Sequence, residues 1–164
     1  MRVLMIALLL FFARSSFSHD HDLTTYTIYQ LEEGWVLKVD FVTSIVYNSI
    51  KSDKKTTEIS DSDYKKMVVA YFRDRINLVA DNQVRLRLGD CGIKLGQHSS
   101  QLIFVLENYH KKWMTLHCSI TCLSDNEKQT NLLRIITDKK TFKALLSKKN
   151  SFETIFEQVN IKIK

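Results

Sequence analysis

Two histidines near the start of the chain have the type and spacing to hold a metal ion. His19 and His21 alternate with Asp20 and Asp22. If the chain is cut after Ser18, the new α-amine, backbone amide nitrogens and the third-position imidazole of His21 form a planar nitrogen set that suits Cu²⁺ or Ni²⁺. His19 offers a second imidazole beside the amine. The alternative is a solvated terminus, because the first residues of a domain are usually untethered.

Residues 1–18 have the three-part pattern of a cleavable signal peptide. Arg2 supplies the basic start, the eleven residues of 3–13 are apolar, and Ser16 and Ser18 place small side chains before the predicted cut. This apolar run is too short for a spanning helix, which needs about 20 residues. We therefore expect an exported protein, periplasmic or extracellular, with no membrane span after cleavage.

The remaining residues, 19–164, have the length of a single domain with a real core, which we place at roughly 23–156. The whole chain has a net charge of +6, but its basic residues are spread along the sequence. Nucleic-acid binding favours a clustered basic stripe, so we expect no nucleic-acid partner. The chain has no Pro and only four Gly, so turns are predicted from clusters of Asn, Asp, Ser and Lys.

Alternating apolar residues predict a mainly β domain. The odd positions of 35–41 are all large and apolar, and this segment is predicted to form a hairpin with 23–31. Residues 101–107 are apolar on both sides, which indicates a central strand. About eight short strands are predicted in all. Because they are grouped rather than alternating with helices, we predict a two-layer antiparallel β-sandwich.

One amphipathic helix is predicted over 61–77, inserted after the first hairpin. Ser60 can cap it, and Asp61 and Asp63 suit the positive end of the helix dipole. Aromatic and apolar residues follow at helical spacing, which indicates a side that faces the core. The polar stretch 51–58 is predicted to be an exposed loop.

The three cysteines leave two arrangements open. Cys118 and Cys122 fall on one side of a strand predicted over 113–123, about 13 Å apart at roughly 3.3 Å per residue. A disulfide needs Cα atoms within about 7 Å, so these two cannot pair in a regular strand. Export permits a disulfide from Cys91 to either of them. The alternative is three small buried thiols.

Catalytic patterns are missing from the sequence, which has no nucleophile elbow, phosphate-binding glycine loop or helix with paired histidines. His117 and Cys118 are neighbours on a predicted strand, so their side chains point to opposite sides. His98 and His110 lie near predicted turns, and Asp74 lies on the solvated side of the helix. We therefore predict a protein that is not an enzyme.

A late segment carries a family resemblance. Glu127, Gln129 and Asn131, followed by apolar residues, form an acidic-Gln-x-Asn-apolar pattern. Together with the export signal, the first hairpin and the helix, it resembles an uncharacterised family of exported bacterial β-domains, a domain of unknown function. That family is similar to the extracytoplasmic N-terminal part of nickel-permease-like membrane proteins (hydrogenase or urease accessory proteins). The resemblance covers 19–156, although this chain has Asp20 where the family usually has Pro. It implies a β fold and an envelope location.

Three functional interpretations follow. The first is a non-catalytic binding or accessory module of the periplasm or cell envelope, without a cofactor, whose partner is an unknown envelope protein or ligand. A large exposed apolar patch would support it. The second is a periplasmic copper- or nickel-binding protein that uses His19 and His21. The third is an enzyme of unrecognised type, which would need a deep pocket with convergent polar groups.

Overall fold

The computed structural model describes residues 23–32, 34–56, 58–108, 113–127, 129–137 and 140–157. Strands dominate these residues. The elements in chain order are β1 (Leu23–Leu31), β2 (Gly34–Val42), α1 (Thr43–Lys54), α2 (Asp61–Arg75), β3 (Ile76–Ala80), β4 (Val84–Lys94), β5 (Ser99–Glu107), β6 (Thr115–Ile120), β7 (Thr130–Ile136), β8 (Thr141–Leu146), a 3-10 turn (Lys148–Asn150) and β9 (Glu153–Glu157).

The nine described strands form one sheet, in the order β8-β7-β1-β2-β5-β4-β3-β6-β9. β1 and β7 are parallel, and the other neighbouring strands are antiparallel. At the two ends of the sheet, Phe142 of β8 and Phe156 of β9 bring their ring centroids to 5.1 Å. The sheet is therefore curved until it nearly closes on itself.

A mainly β fold is confirmed, but the predicted two-layer antiparallel sandwich is wrong. Two features join all nine strands into one mixed sheet. The first is the parallel pairing of β1 with β7, in which Tyr26 lies opposite Leu133. The second is β4, which pairs with β3 up to Leu86 and with β5 from Arg87 onward. Alternation along a strand reveals which residues face the core, but not which distant strand lies beside it.

Two helices are described where one was predicted. The predicted helix is α2, and its cap is confirmed, because the backbone N–H of Asp63 donates to Ser60 Oγ at 3.2 Å. α1 was missed, and its last turn occupies part of the loop predicted over 51–58. It follows β2 directly, without a side-chain cap, and only Val46 and Ile50 are buried. Of the helices in the described residues, neither is long and apolar enough to cross a membrane.

The core lies between the inner side of the sheet and the helices. The odd positions of 35–41 are buried, as predicted, with at most 5% of each side chain exposed. The ring of Phe72 on α2 packs 5.1 Å from that of Phe41 and 6.4 Å from that of Tyr26. β5 is the middle strand of the nine, so the central strand predicted at 101–107 is confirmed.

Tyr71 of α2 holds both helices to the segment after β6. Its hydroxyl accepts a hydrogen bond from the backbone N–H of Leu123 at 2.8 Å and lies 3.2 Å from Ser49 Oγ of α1. The guanidinium of Arg75 lies 4.2 Å from the Tyr71 ring and forms an ion pair with Asp53 at 2.5 Å. The Tyr71 side chain thereby holds α1, α2 and the segment after β6 together.

The turn between β4 and β5 packs closely against the start of α1. Thr43 Oγ1 donates to the carbonyl of Gly96 at 2.7 Å, and the N–H of Gly96 donates to Ser100 Oγ at 3.2 Å. A Cβ added at Gly96 would lie 2.5 Å from the carbonyl oxygen of Ser99. A backbone atom rather than a flexible side chain would have to move.

We therefore expect Gly96→Ala to lower the free energy of unfolding by about 1–3 kcal/mol, the usual range for overpacking. Urea unfolding followed by circular dichroism measures this loss. Gly92→Ala is the matched control, because a Cβ there would meet its nearest atom at an ordinary 4.0 Å. Equal losses for the two variants would contradict the close approach at Gly96.

Candidate functional site

The predicted metal ligands His19 and His21 lie outside the described residues, so copper or nickel binding there stays a prediction. In the described ranges, no three His, Cys, Asp or Glu side chains gather as a metal site would require. The acidic residues of α2 have the structural role predicted for them. Ser60 Oγ donates to the carboxylate of Asp63 at 2.7 Å, and Asp74 lies exposed on the same helix.

The described histidines do not converge on a site. His117 on β6 lies 3.5 Å from the carboxylate of Glu153 on β9. The adjacent Cys118 is fully buried, which confirms that these neighbours face opposite sides of the strand. His98 is exposed next to β5, and His110 lies outside the described residues.

All three cysteines are free thiols. The disulfide alternative is therefore wrong. The prediction of three buried thiols is confirmed for Cys118 and Cys122, which are buried, but Cys91 is only half-buried. The predicted strand over 113–123 ends earlier, at Ile120. Burial raises the pKa of Cys118 and Cys122 to about 12, and it also raises the pKa of Cys91. None of the three is activated as a nucleophile.

The residues that carry the family resemblance have a structural role. Asn131 is fully buried, and its amide donates to the carbonyls of Ile120 and Cys122 at 3.1 and 3.3 Å. Gln129, also buried, donates to Asn131 Oδ1 at 2.9 Å. Glu127 is exposed at the surface. The two amides fasten the segment after β6 to the start of β7.

The feature best suited to recognition is the side of the sheet that faces away from the helices, which we term the outer face. It begins with an apolar row: Ile136 lies beside Tyr29, Tyr29 beside Val36, and Val36 beside Val105. The four residues belong to the adjacent strands β7, β1, β2 and β5. Ile136 and Val105 are 41% and 47% exposed, while Val36 between them is only 6% exposed.

A basic row runs beside the apolar row, two residues further along each strand. Lys143 lies opposite Arg134, Arg134 beside Thr27, and Thr27 beside Lys38. Lys38 forms an ion pair with Asp40 at 3.0 Å. Among the described residues, Arg134 and Lys143 form no ion pair. Like charges placed directly opposite on neighbouring strands destabilise the sheet, so an acidic group would be attracted here.

The outer face combines an apolar row with a row of cations. Apolar side chains exclude water from a contact, and cations beside them attract and orient carboxylates. The described outer face contains neither a shifted acid–base pair nor an activated nucleophile. Sequence reasoning missed this face because its apolar row joins residues more than 100 positions apart, Tyr29 and Ile136 being the clearest case.

Comparison with known proteins assigns no family. No model of a protein family matches the chain, and no curated protein matches its sequence.

The buried thiols give a direct chemical test. We expect iodoacetamide at a pH of about 8 to modify Cys91 in the folded protein and to leave Cys118 and Cys122 unmodified. Buried thiols are shielded from the reagent, and a pKa raised to about 12 leaves almost no reactive thiolate. Peptide mass spectrometry after modification assigns the sites. Modification in urea, where all three should react, is the control, and rapid native modification of Cys122 would contradict the burial.

The buried amides give a second test. Asn131→Leu keeps the side-chain volume similar but removes both hydrogen bonds to backbone carbonyls, so we expect a loss of about 1–3 kcal/mol in the free energy of unfolding. Asn77→Leu is the matched control, since Asn77 is half-buried on the outer side of β3. Urea unfolding compares them. A neutral Asn131→Leu would mean that this amide does not hold the segment.

Proposed function

We propose that the chain is an exported, non-catalytic binding module of the cell envelope that holds a partner protein on its outer face. The observation that carries this proposal is the apolar row on four adjacent strands. A sheet side that meets only water usually presents polar residues. An exposed apolar patch bordered by polar groups is typical of an interaction surface.

The charges beside the apolar row indicate the chemistry of the partner. Arg134 and Lys143 repel one another across β7 and β8, and a carboxylate placed between them would relieve that repulsion. The partner that fits is a segment with apolar side chains bordered by Asp or Glu.

The dimensions of the outer face favour a short segment. Four strands about 4.8 Å apart span roughly 14 Å, which about nine residues of an α-helix cover at 1.5 Å per residue. The basic row lies about 7 Å from the apolar row, at two residues along a strand. An amphipathic helix with acidic residues along one border of its apolar side matches both distances.

The envelope location in this proposal comes from residues 1–18 and from the family resemblance. It is independent of the outer face. Metal binding by His19 and His21 is a separate prediction, and the described residues add nothing to it. A cytoplasmic location of the natural protein would contradict the proposed envelope location. It would not affect the proposal that the outer face binds a partner, which is tested separately.

The outer face is tested with a fluorescent helical peptide that has leucines along one side and a border of glutamates. We expect wild-type protein to bind it about tenfold more tightly than the same peptide with lysines in place of glutamates. The double variant Arg134→Gln with Lys143→Gln should remove most of this preference and weaken its salt dependence. Fluorescence anisotropy measures each affinity.

A substitution in the apolar row tests that row separately from the basic row. Val105→Asp places a charge at the β5 end of the apolar row, on its most exposed aliphatic side chain, and should abolish binding of the peptide. Ile155→Asp is the matched control, because Ile155 is an aliphatic residue of similar exposure on β9, four strands away. Equal loss in both variants, or binding of both peptides alike, would contradict the proposal. Binding to anionic lipid vesicles in place of the acidic peptide would replace the protein partner with a membrane.

A further inference from the structure

A second feature lies where β4 changes its partner. β4 pairs with β3 only through Val84, Arg85 and Leu86, and it pairs with β5 only from Arg87 onward. A bulge follows between Leu88 and Cys91. Within the described ranges, each edge of β4 therefore has a stretch that pairs with no strand, and a cleft of about 710 Å³ lies beside this stretch.

Positive and amide groups line the cleft. Its polar lining consists of Arg73, Arg85 and Arg87 with the amides of Gln83 and Asn108, and its described lining includes no Asp or Glu. The remaining lining is apolar: Ile76, Val84, Leu86 and Leu88. Small-molecule sites have volumes of this order and combine an apolar lining with a few polar groups.

The three guanidinium groups differ in the contacts that hold them in place. Arg73 Nε donates to the carbonyl of Leu88 at 3.0 Å, and a second nitrogen of Arg73 donates to the carbonyl of Gly89. Its Cζ atom lies 5.9 Å from the Phe104 ring centroid. Arg73 is thus a fixed positive charge that also satisfies backbone carbonyls beyond the end of the β3 pairing.

Arg85 and Arg87 are exposed, and within the described part of the chain neither forms an ion pair. Glu107 is the register partner of Arg87 on β5, but its carboxylate does not pair with that arginine. The carboxylate lies next to Gly89, where an added Cβ would clash with it. Two guanidinium groups, two residues apart on one strand, therefore remain available to a ligand. Planar guanidinium groups bind carboxylate and phosphate oxygens through paired hydrogen bonds.

We propose that this cleft binds a small amphiphilic anion, whose carboxylate or phosphate contacts Arg85 and Arg87 on one side of β4 and whose apolar part passes the edge of the strand to reach Val84 and Leu88 on the other side. The site is distinct from the outer-face rows on β7, β1, β2 and β5, and it stands whether or not those rows bind a protein. Binding is non-covalent. The fixed charge of Arg73 adds to the attraction without itself having to move.

Calorimetric titration with octyl phosphate, octanoate, inorganic phosphate and octanol tests the cleft. We expect octyl phosphate, octanoate or both to bind one equivalent at least tenfold more tightly than inorganic phosphate or octanol. The stronger of the two identifies the anionic group. Equal, weak heats from all four probes would overturn the proposal.

The double variant Arg85→Gln with Arg87→Gln should weaken binding of the stronger probe at least tenfold, while its unfolding midpoint in urea stays near the wild-type value. The matched control is Arg134→Gln with Lys143→Gln, which removes the same charge from the outer face and should leave the affinity unchanged. A similar loss of affinity in both double variants would show a general effect of net charge and would contradict binding in the cleft. The acidic-peptide assay on the same two variants separates failure of the cleft from failure of the outer face.

Discussion

The continuity of the sheet depends on β4, which pairs with β3 through its first residues and with β5 through its later ones. Its first residues hold β3, β6 and β9, and its later residues hold β5 and the strands beyond it. Where one pairing stops, backbone carbonyls lose their strand partner, and a buried or half-buried carbonyl needs another donor. Arg73 supplies that donor from α2 to Leu88 and Gly89. A single side chain therefore joins α2 to the part of β4 that follows its change of partner.

The inner and outer sides of the sheet have separate tasks. The inner side takes the large apolar residues, the helices and the buried amides of Gln129 and Asn131, and it accounts for stability. The outer side carries the apolar row, in which Ile136 and Val105 are exposed and Val36 is buried, and the basic row beside it. Because neighbouring residues on a strand face opposite sides, a change at Val105 and a change at Phe104 should affect different properties of the protein.

Local features of the fold could be predicted from the sequence, and long-range ones could not. The alternation in 35–41 and the Ser60 cap each depend on residues close together in the chain, and both predictions were correct. α1 lacks a side-chain cap, so no capping residue marked its start in the sequence. The parallel pairing of β1 with β7 leaves no local pattern. For the same reason the candidate binding surface was invisible, since Val36 and Val105 become neighbours only through strand pairing. The ligands predicted at His19 and His21 lie outside the described residues.

The contact between Phe142 and Phe156 affects how copies of the molecule meet. An edge strand exposes backbone donors and acceptors to other chains, and long apolar edges promote aggregation. Here the two edges of the described sheet, β8 and β9, approach one another through these rings, and Lys140 lies 5.9 Å from the Phe156 ring. Another chain would have to separate the rings before it could extend the sheet across this seam. The curvature that nearly closes the fold thus also protects it from strand-by-strand polymerisation.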